Sequence, residues 1–221
     1  MDNKDYWDSK IIEWEDSMVQ KERVSFIERL ASFFRGPLKY RSQLSLDLLE
    51  RYVRNKTVLE LGCGSGYFAF TLFEKCGTKH ITGIDISQKA VERASRIAAE
   101  RQLTAKFSFF EGDVTSKTLP EVDVTIGLGF LDYLSPEEIQ SLFRNIRSPY
   151  FLFSFADKSI SLLRYIHKCY MLSQGCSKHY YYNKNEMAGY TGRKYNELQF
   201  LNDRKMSFTC IVHNLGMPSA R

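Results

Sequence analysis

No apolar run in this chain approaches the length of a membrane span, and the opening MDNKDYWDSK contains no hydrophobic leader segment. These two absences predict a cytoplasmic protein without a membrane partner. Cysteine is sparse, and Cys63, Cys76, Cys169, Cys176 and Cys210 form no pair with metal-ligand spacing. An odd count in a chain without a leader reads as reduced thiols, and no metal is expected. Histidine is rarer still, at His80, His167, His179 and His213, so the pool of imidazole bases is small. Internal repeats and low-complexity blocks are both missing. What remains is ordinary for a soluble globular domain: 43% hydrophobic and 26% charged residues over 221 positions. That length suffices for one domain with a sizeable core and some decoration. The net charge of +5 is unevenly spread, because residues 156–221 hold 10 Lys and Arg against 4 Asp and Glu. The excess fits either an anionic partner or a basic solvated surface.

The stretch 58–87, VLELGCGSGYFAFTLFEKCGTKHITGIDIS, organises the rest. Thr57 to Leu61 is short, apolar and β-rich, and predicts a buried strand. Gly62, Gly64 and Gly66 follow at alternate positions, then a helix over Tyr67–Cys76, then a strand from His80 to Ile86 that contains Asp85. Strand, glycine turn, helix, strand and acid are the grammar of a nucleoside site at the edge of a parallel sheet. The glycines let backbone approach a ligand and take positive φ without strain. The carboxylate can accept both hydroxyls of a ribose. A dinucleotide site wants G-x-G-x-x-G, and a triphosphate site wants a lysine after the turn; neither is present. The turn itself holds no Lys or Arg. It therefore suits a ribose with a zwitterionic tail better than a pyrophosphate. Cys63 within the turn reads as a small filler rather than a nucleophile.

Three blocks in order, Glu60-Leu61-Gly62-Cys63-Gly64-Ser65-Gly66, Gly83-Ile84-Asp85-Ile86-Ser87 and Glu111-Gly112-Asp113-Val114, resemble the class I S-adenosylmethionine-dependent methyltransferases. The resemblance implies an α/β fold, a doubly wound Rossmann-like sheet of seven strands in the order 3-2-1-4-5-7-6 with the last antiparallel. It also implies S-adenosyl-L-methionine as cofactor and S-adenosyl-L-homocysteine as product. Carried over, Glu60, Gly62, Cys63, Gly64 and Gly66 line the cofactor, with Asp85 and Ile86 at its ribose. Asp113 meets the adenine amino group and the Val114 N–H a ring nitrogen, while Gly129 and Phe130 flank the cofactor from beyond the fourth strand. Tyr40 and Arg41 are the candidates for its methionine end, Arg41 by pairing with the carboxylate. The plainer alternatives are a surface arginine at 41 and a polar turn at Asp113.

Residues 1–55 predict a helical extension, 56–215 the cofactor-binding domain, and 216–221 a loose tail. In the extension, Val24, Ile27, Leu30, Ala31 and Phe34 make one apolar stripe, and Trp7, Ile11, Trp14 and Met18 another. The two tryptophans fit a lid over the acceptor site or plain core packing. Gly36-Pro37 predicts a helix break before a second helix over 38–53. Later strands are expected at 106–111, 122–127, 150–155, 195–201 and 206–212, and helices after Ser87, from Ser135 to about Arg147, over 160–172 and from Asn183 to about Tyr190.

Acceptor chemistry is less legible. The fourth strand leads into Gly129-Phe130-Leu131-Asp132-Tyr133, with neither the Asn/Asp-Pro-Pro-Tyr tetrad nor the Pro-Cys pair of base-modifying methyltransferases. That points to the small-molecule branch, with oxygen or nitrogen as the methylated atom and the segment 156–182 as an insertion near the acceptor. The stretch from FSFADKS to SKHYYYNKNE is loosely similar to magnesium-protoporphyrin O-methyltransferases and to small bacterial methyltransferases of uncharacterised acceptor. A hydroxyl acceptor needs a base, and His167, His179, Asp132 and Asp157 are the pool, with His179 first and Tyr133 as an acceptor-lining residue. Nucleic acid is disfavoured, since no long basic patch with interleaved aromatics occurs. Two other readings stay open: a methyltransferase for RNA or protein, and a non-catalytic cofactor-binding partner subunit.

Overall fold

The computed structural model describes residues 3–19, 26–116, 118–158, 162–173, 178–192, 195 and 197–216, and for 3, 13–19, 26–35, 162, 163, 167, 170 and 173 the backbone alone. Two helices lead the chain, α1 (Asn3–Val19) and α2 (Phe26–Val53). Then β1 (Thr57–Leu61), α3 (Tyr67–Cys76), β2 (His80–Asp85), α4 (Gln88–Glu100) and β3 (Phe107–Glu111) alternate. They are followed by β4 (Val124–Leu128), α5 (Pro136–Asn145), β5 (Tyr150–Ala156), α6 (Leu162–Ser173), α7 (Lys184–Thr191), β6 (Gln199–Leu201) and β7 (Thr209–His213). One seven-stranded sheet results, in the order β3-β2-β1-β4-β5-β7-β6. Its first five strands are parallel, and β7 runs antiparallel to both neighbours. The expected fold class and strand order are the ones observed.

Each face of the sheet buries its own core. Leu46, Leu49 and Val53 of α2 pack with Phe70 and Leu72 of α3 against Val58, Ile81, Val124 and Ile126. On the other face Ile139, Leu142 and Phe143 of α5 meet Leu59, Leu61, Phe151 and Phe153. Ser135 caps α5 through a capping box with Glu138, and Asn183 caps α7 through one with Glu186. No helix among the described residues is long and apolar enough to cross a membrane.

Three sequence expectations are corrected. α2 runs straight through Gly36-Pro37 instead of breaking there. Proline removes one helical donor, and its ring crowds the Cβ of the preceding residue, which Gly36 does not have. The packed half of α2 downstream holds the helix together. The sixth strand is shorter than 195–201, beginning at Gln199. Glu197 takes a left-handed φ of 63°, and Tyr195 is buried with its hydroxyl donating to the Ser148 carbonyl. The seventh strand begins at Thr209 rather than 206, because Arg204–Met206 forms a 3-10 turn capped by Asp203 and Ser207 is left-handed. The stripe from Val24 to Phe34, the side chains of Trp14 and Met18, and the tail beyond residue 216 lie outside what is described.

Candidate active site

At the carboxyl end of β1 the chain bends through Gly62, Gly64 and Gly66, with φ of 67°, 52° and 78°. Gly62 N–H donates to the Ile84 carbonyl at 2.8 Å, which lays the bend against the end of β2. A Cβ on Gly62 would lie 2.6 Å from the Phe130 Cβ, so the close approach of these two segments requires glycine. Gly66 opens α3 without a side-chain cap, leaving the first amides of that helix for another acceptor. Asp85 is buried at the end of β2 and its carboxylate is drawn into the bend. Oδ2 accepts the Gly64 N–H at 2.8 Å and Oδ1 the Ser87 N–H at 2.9 Å. These two amides use two of the roughly four acceptor sites of a carboxylate. Glu60 and Cys63 are buried beneath the turn, and Ile86 is half-buried beside it.

Beyond β3, Asp113 is exposed and forms a polar turn, Oδ1 accepting the Thr115 N–H at 2.8 Å and its hydroxyl at 2.7 Å. Val114 is buried next to it. Beyond β4, Gly129 has a φ of 80° and donates its N–H to Ser154 Oγ at 2.9 Å. Phe130 folds back over the bend and packs on Phe153, with centroids 5.8 Å apart.

Tyr40 and Arg41 are adjacent in sequence and separate in space. The Tyr40 hydroxyl donates to Asp203 Oδ2 at 2.8 Å, which ties α2 to the β6–β7 connection. Arg41 turns inward and is 7% exposed, its guanidinium against Gly129, where a Cβ would be 3.1 Å from Nη1. Its Nε is buried without a hydrogen-bond partner among the described residues, and desolvation lowers the pKa of the guanidinium. The surface-arginine alternative is thereby removed. Asp132 is equally buried, at 7% exposure, in the short 3-10 turn Leu131–Tyr133. Its Oδ1 accepts the Ala156 N–H at 2.5 Å, and its main-chain carbonyl accepts the Tyr180 N–H at 2.7 Å. It thus joins the ends of β4 and β5 to the segment 178–182.

Burial raises the Asp132 carboxyl to about 6, against the opposing pull of the Ala156 N–H and the Arg41 charge. Arg41 on α2 and the phenols of Tyr181 and Tyr182 interact electrostatically with this carboxyl. A carboxyl raised in the folded state contributes stability that is present below its unfolded value and lost as pH rises through about 6. In Asp132→Asn the fall in melting temperature between pH 4 and pH 7 should therefore be smaller than in the parent. An equal fall in both proteins would show that this group does not titrate in that window.

Aromatic side chains wall the space next to Asp132. Tyr133 stands edge-on to His179 at 5.4 Å and to Trp7 of α1 at 5.0 Å. His179 packs on Tyr181 at 4.8 Å, and Arg164 lies over the Tyr181 ring at 5.6 Å. Burial pushes Tyr181 up to about 12, so its phenol stays protonated at neutral pH. Helix α1 crosses the carboxyl edge of the sheet. Lys4 pairs with Glu111 at the end of β3 at 2.5 Å, the Ser87 hydroxyl beyond β2 donates to Asp8 at 2.6 Å, and Trp7 reaches Tyr133 beyond β4.

The structure therefore gathers Arg41, Gly62, Gly64, Asp85, Gly129, Phe130 and Tyr133 along one edge, with His179 over Tyr133, and sends the Tyr40 hydroxyl to the rim. The side chain of His167 is not described, and His213 is buried in β7. Sequence reasoning missed Ser154 and the anchoring of Asp132. A lone hydroxyl inside the apolar YFLFSF was the signal for the first, and nothing local signals the second.

Residues 58–149 match the family described as methyltransferase domain. Over 61 residues the chain is 48% identical to ribosomal protein L11 methyltransferase of Burkholderia thailandensis, covering 27% of this chain and 20% of that one. The corresponding protein of Dechloromonas aromatica is 37% identical over 86 residues, 38% of this chain and 27% of its own. The chain thus spans only about a fifth to a quarter of these relatives' length. Among solved structures, magnesium protoporphyrin IX methyltransferase of Synechocystis PCC 6803 with bound SAH superposes with a TM-score of 0.71 at 20% identity, over 95% of this chain and 96% of that one. The methyltransferase domain of a bacterial Hen1 gives 0.60 at 20% identity, over 80% and 97%. Residues 58–149 thus carry a methyltransferase domain, and the sheet order and the glycine bend agree with it.

Proposed function

We propose that this protein transfers a methyl group from S-adenosylmethionine to a small-molecule acceptor, at oxygen or nitrogen, and that the acceptor is anionic. One observation carries the reading: three left-handed glycines bent around the end of β1, with the Asp85 carboxylate drawn against them. Such a bend suits a nucleoside, and the carboxylate would accept ribose hydroxyls. The fit extends to the far end, where Arg41 is buried with an unpartnered Nε. Asp113 and Val114 would meet the adenine, and Ile86, Gly129 and Phe130 would flank the ligand. S-adenosylmethionine supplies, when bound, a methyl carbon activated by a positive sulfur. The protein then has to align the acceptor and exclude water. Helix α1 supports that second task, because its residues 4–8 reach the ends of β2, β3 and β4. Tyr133 and Trp7 form the wall against which an acceptor packs, and His179 takes the acceptor's proton where that acceptor is a hydroxyl. The excess of basic residues in 156–221 favours an anion.

The L11 methyltransferase similarity covers 27% to 38% of this chain. Titration calorimetry with S-adenosylhomocysteine tests the donor. A screen of small carboxylates and phenols with methyl-labelled cofactor tests the acceptor. Label passing to RNA or protein instead, with steep salt dependence, would replace the small-molecule reading. On an acceptor that is turned over, His179→Ala should slow the reaction about a hundredfold with cofactor affinity within about twofold. Full activity in that variant would remove His179 as the base.

A further inference from the structure

Helix α6 turns a seam of apolar side chains outward. Tyr165 is 54% exposed and Leu172 60%. The other large exposed hydrophobic residues among those described, Tyr67, Phe110 and Tyr150, lie singly on α3, β3 and β5. Seven positions apart, Tyr165 and Leu172 share one helical face, and Cys169, also exposed, lies on it between them. Exposed Lys168 flanks this seam. On the inner side of the helix, Met171 is buried against Tyr6, with Trp7 and Tyr133 packed around it. Among the described residues Tyr165 has a ring contact only with Arg164 of its own helix, at 5.1 Å. The charge around the seam has one sign. From Lys158 to Asn185 the sequence holds five Lys or Arg, at 158, 164, 168, 178 and 184, and no Asp or Glu. Lys158 pairs with Glu186 at the end of this run. An exposed leucine offers nothing to phosphates or base edges. An apolar seam with basic flanks instead matches a lipid surface, where aliphatic groups enter the acyl layer, tyrosine sits at the boundary and lysine reaches the headgroups.

We propose that α6 docks the protein on an anionic bilayer surface, its Tyr165–Leu172 seam entering the headgroup layer and Lys168 meeting lipid phosphates. The expectation of no membrane partner rests on the absence of a span and of a leader, and a helix lying in the plane of the membrane needs neither. Twelve residues with two large exposed apolar side chains make a modest anchor, so the binding is reversible and depends on lipid charge. The position of α6 gives the docking a consequence. Met171 packs with Tyr133, and Arg164 lies over the Tyr181 ring at 5.6 Å. The aromatic wall assigned above to the acceptor therefore comes to the membrane surface, where an amphipathic anion dissolved in lipid reaches it. That consequence rests on the reading of the preceding subsection; the docking itself does not.

Co-sedimentation of the full chain with vesicles, in the absence of cofactor and acceptor, tests the docking apart from methyl transfer. Phosphatidylcholine vesicles with about a third phosphatidylglycerol should bind the parent at least about tenfold more tightly than phosphatidylcholine alone, and added salt should narrow the difference. Lys168→Glu should lose about tenfold on the anionic vesicles. Tyr165→Ser combined with Leu172→Ser should also lose about tenfold or more there. Both variants should keep the parent's melting temperature and its affinity for S-adenosylhomocysteine. If the serine variant melts lower, Lys168→Glu still decides, because that side chain is wholly on the surface. A parent that ignores both kinds of vesicle, or variants that bind as the parent does, would overturn the proposal. So would a lipid-free dimer that the serine changes dissolve, which would make the seam an interface between proteins. Tighter binding to polyuridine than to the anionic vesicles, undiminished by the serine changes, would give the basic run to nucleic acid and overturn it too. Vesicle binding as expected in a protein with no affinity for S-adenosylhomocysteine would uphold the docking and remove the donor assignment.

Discussion

Asp85→Ala should lose S-adenosylhomocysteine affinity by at least about a hundredfold. Two ribose hydroxyls donating to an ionised carboxylate are worth about 1.5–3 kcal/mol each, and both go with the side chain. The loss has a second source in this protein. The same carboxylate receives the Gly64 and Ser87 amides, so its removal releases the bend and the start of α4. Asp85→Asn separates the two effects. One amide oxygen still serves a backbone donor, but the charge and one acceptor oxygen are gone, so its affinity should fall between those of parent and alanine variant. Calorimetry with 5′-methylthioadenosine gives the same ranking if the ribose is the contact. Unchanged binding in Asp85→Ala would detach the carboxylate from the ligand altogether.

Gly62→Ala should be the most damaging single-methyl change at the site. A left-handed φ of 67° costs a non-glycine residue about 1–2 kcal/mol. The new Cβ would also fall 2.6 Å from the Phe130 Cβ, an atom attached directly to backbone. That contact is relieved only by parting the β1 bend from the turn after β4, an overpacking cost of about 1–3 kcal/mol. Together these predict a loss of about 2–5 kcal/mol and a melting temperature lowered on the order of 10 °C for a chain of this size. Gly77 makes the control, since it too is left-handed but a Cβ there meets nothing within 4 Å. Gly77→Ala should show the conformational cost alone. If the two variants melt together, the contact with Phe130 carries no weight.

The cofactor half was readable because its signals are local. Glycines at alternate positions, an acid at the end of the next strand and Ser87 capping a helix are each decided within a few residues, and the strands and helices from 57 to 111 lie within a residue or so of their expected limits. The failures fall where distant packing overrides local preference. Gly36-Pro37 is a strong break signal, but α2 is held in the core beyond it by Leu46, Leu49 and Val53. Tyr195 to Leu198 has strand character, yet Tyr195 is drawn inward against Phe151 at 4.7 Å. Tyr40 and Arg41 were equal candidates for the same ligand, and only the contacts of α2 with Asp203 and Gly129 send them apart. Asp132 belongs with these. Its burial depends on Ala156, Tyr180 and Arg41, which come from three separate stretches of sequence.

The reversed direction of β7 has one more result. Because it begins at Thr209 opposite Ala156, the 202–208 connection returns to the very margin where β4 and β5 finish. On the proposed reading the donor residues end at Phe130, and much of the opposite wall follows residue 155. Such a layout separates what is common to many enzymes from what distinguishes them. Transplanting 157–208 as a block between relatives would redirect the choice of acceptor while leaving the nucleoside half untouched.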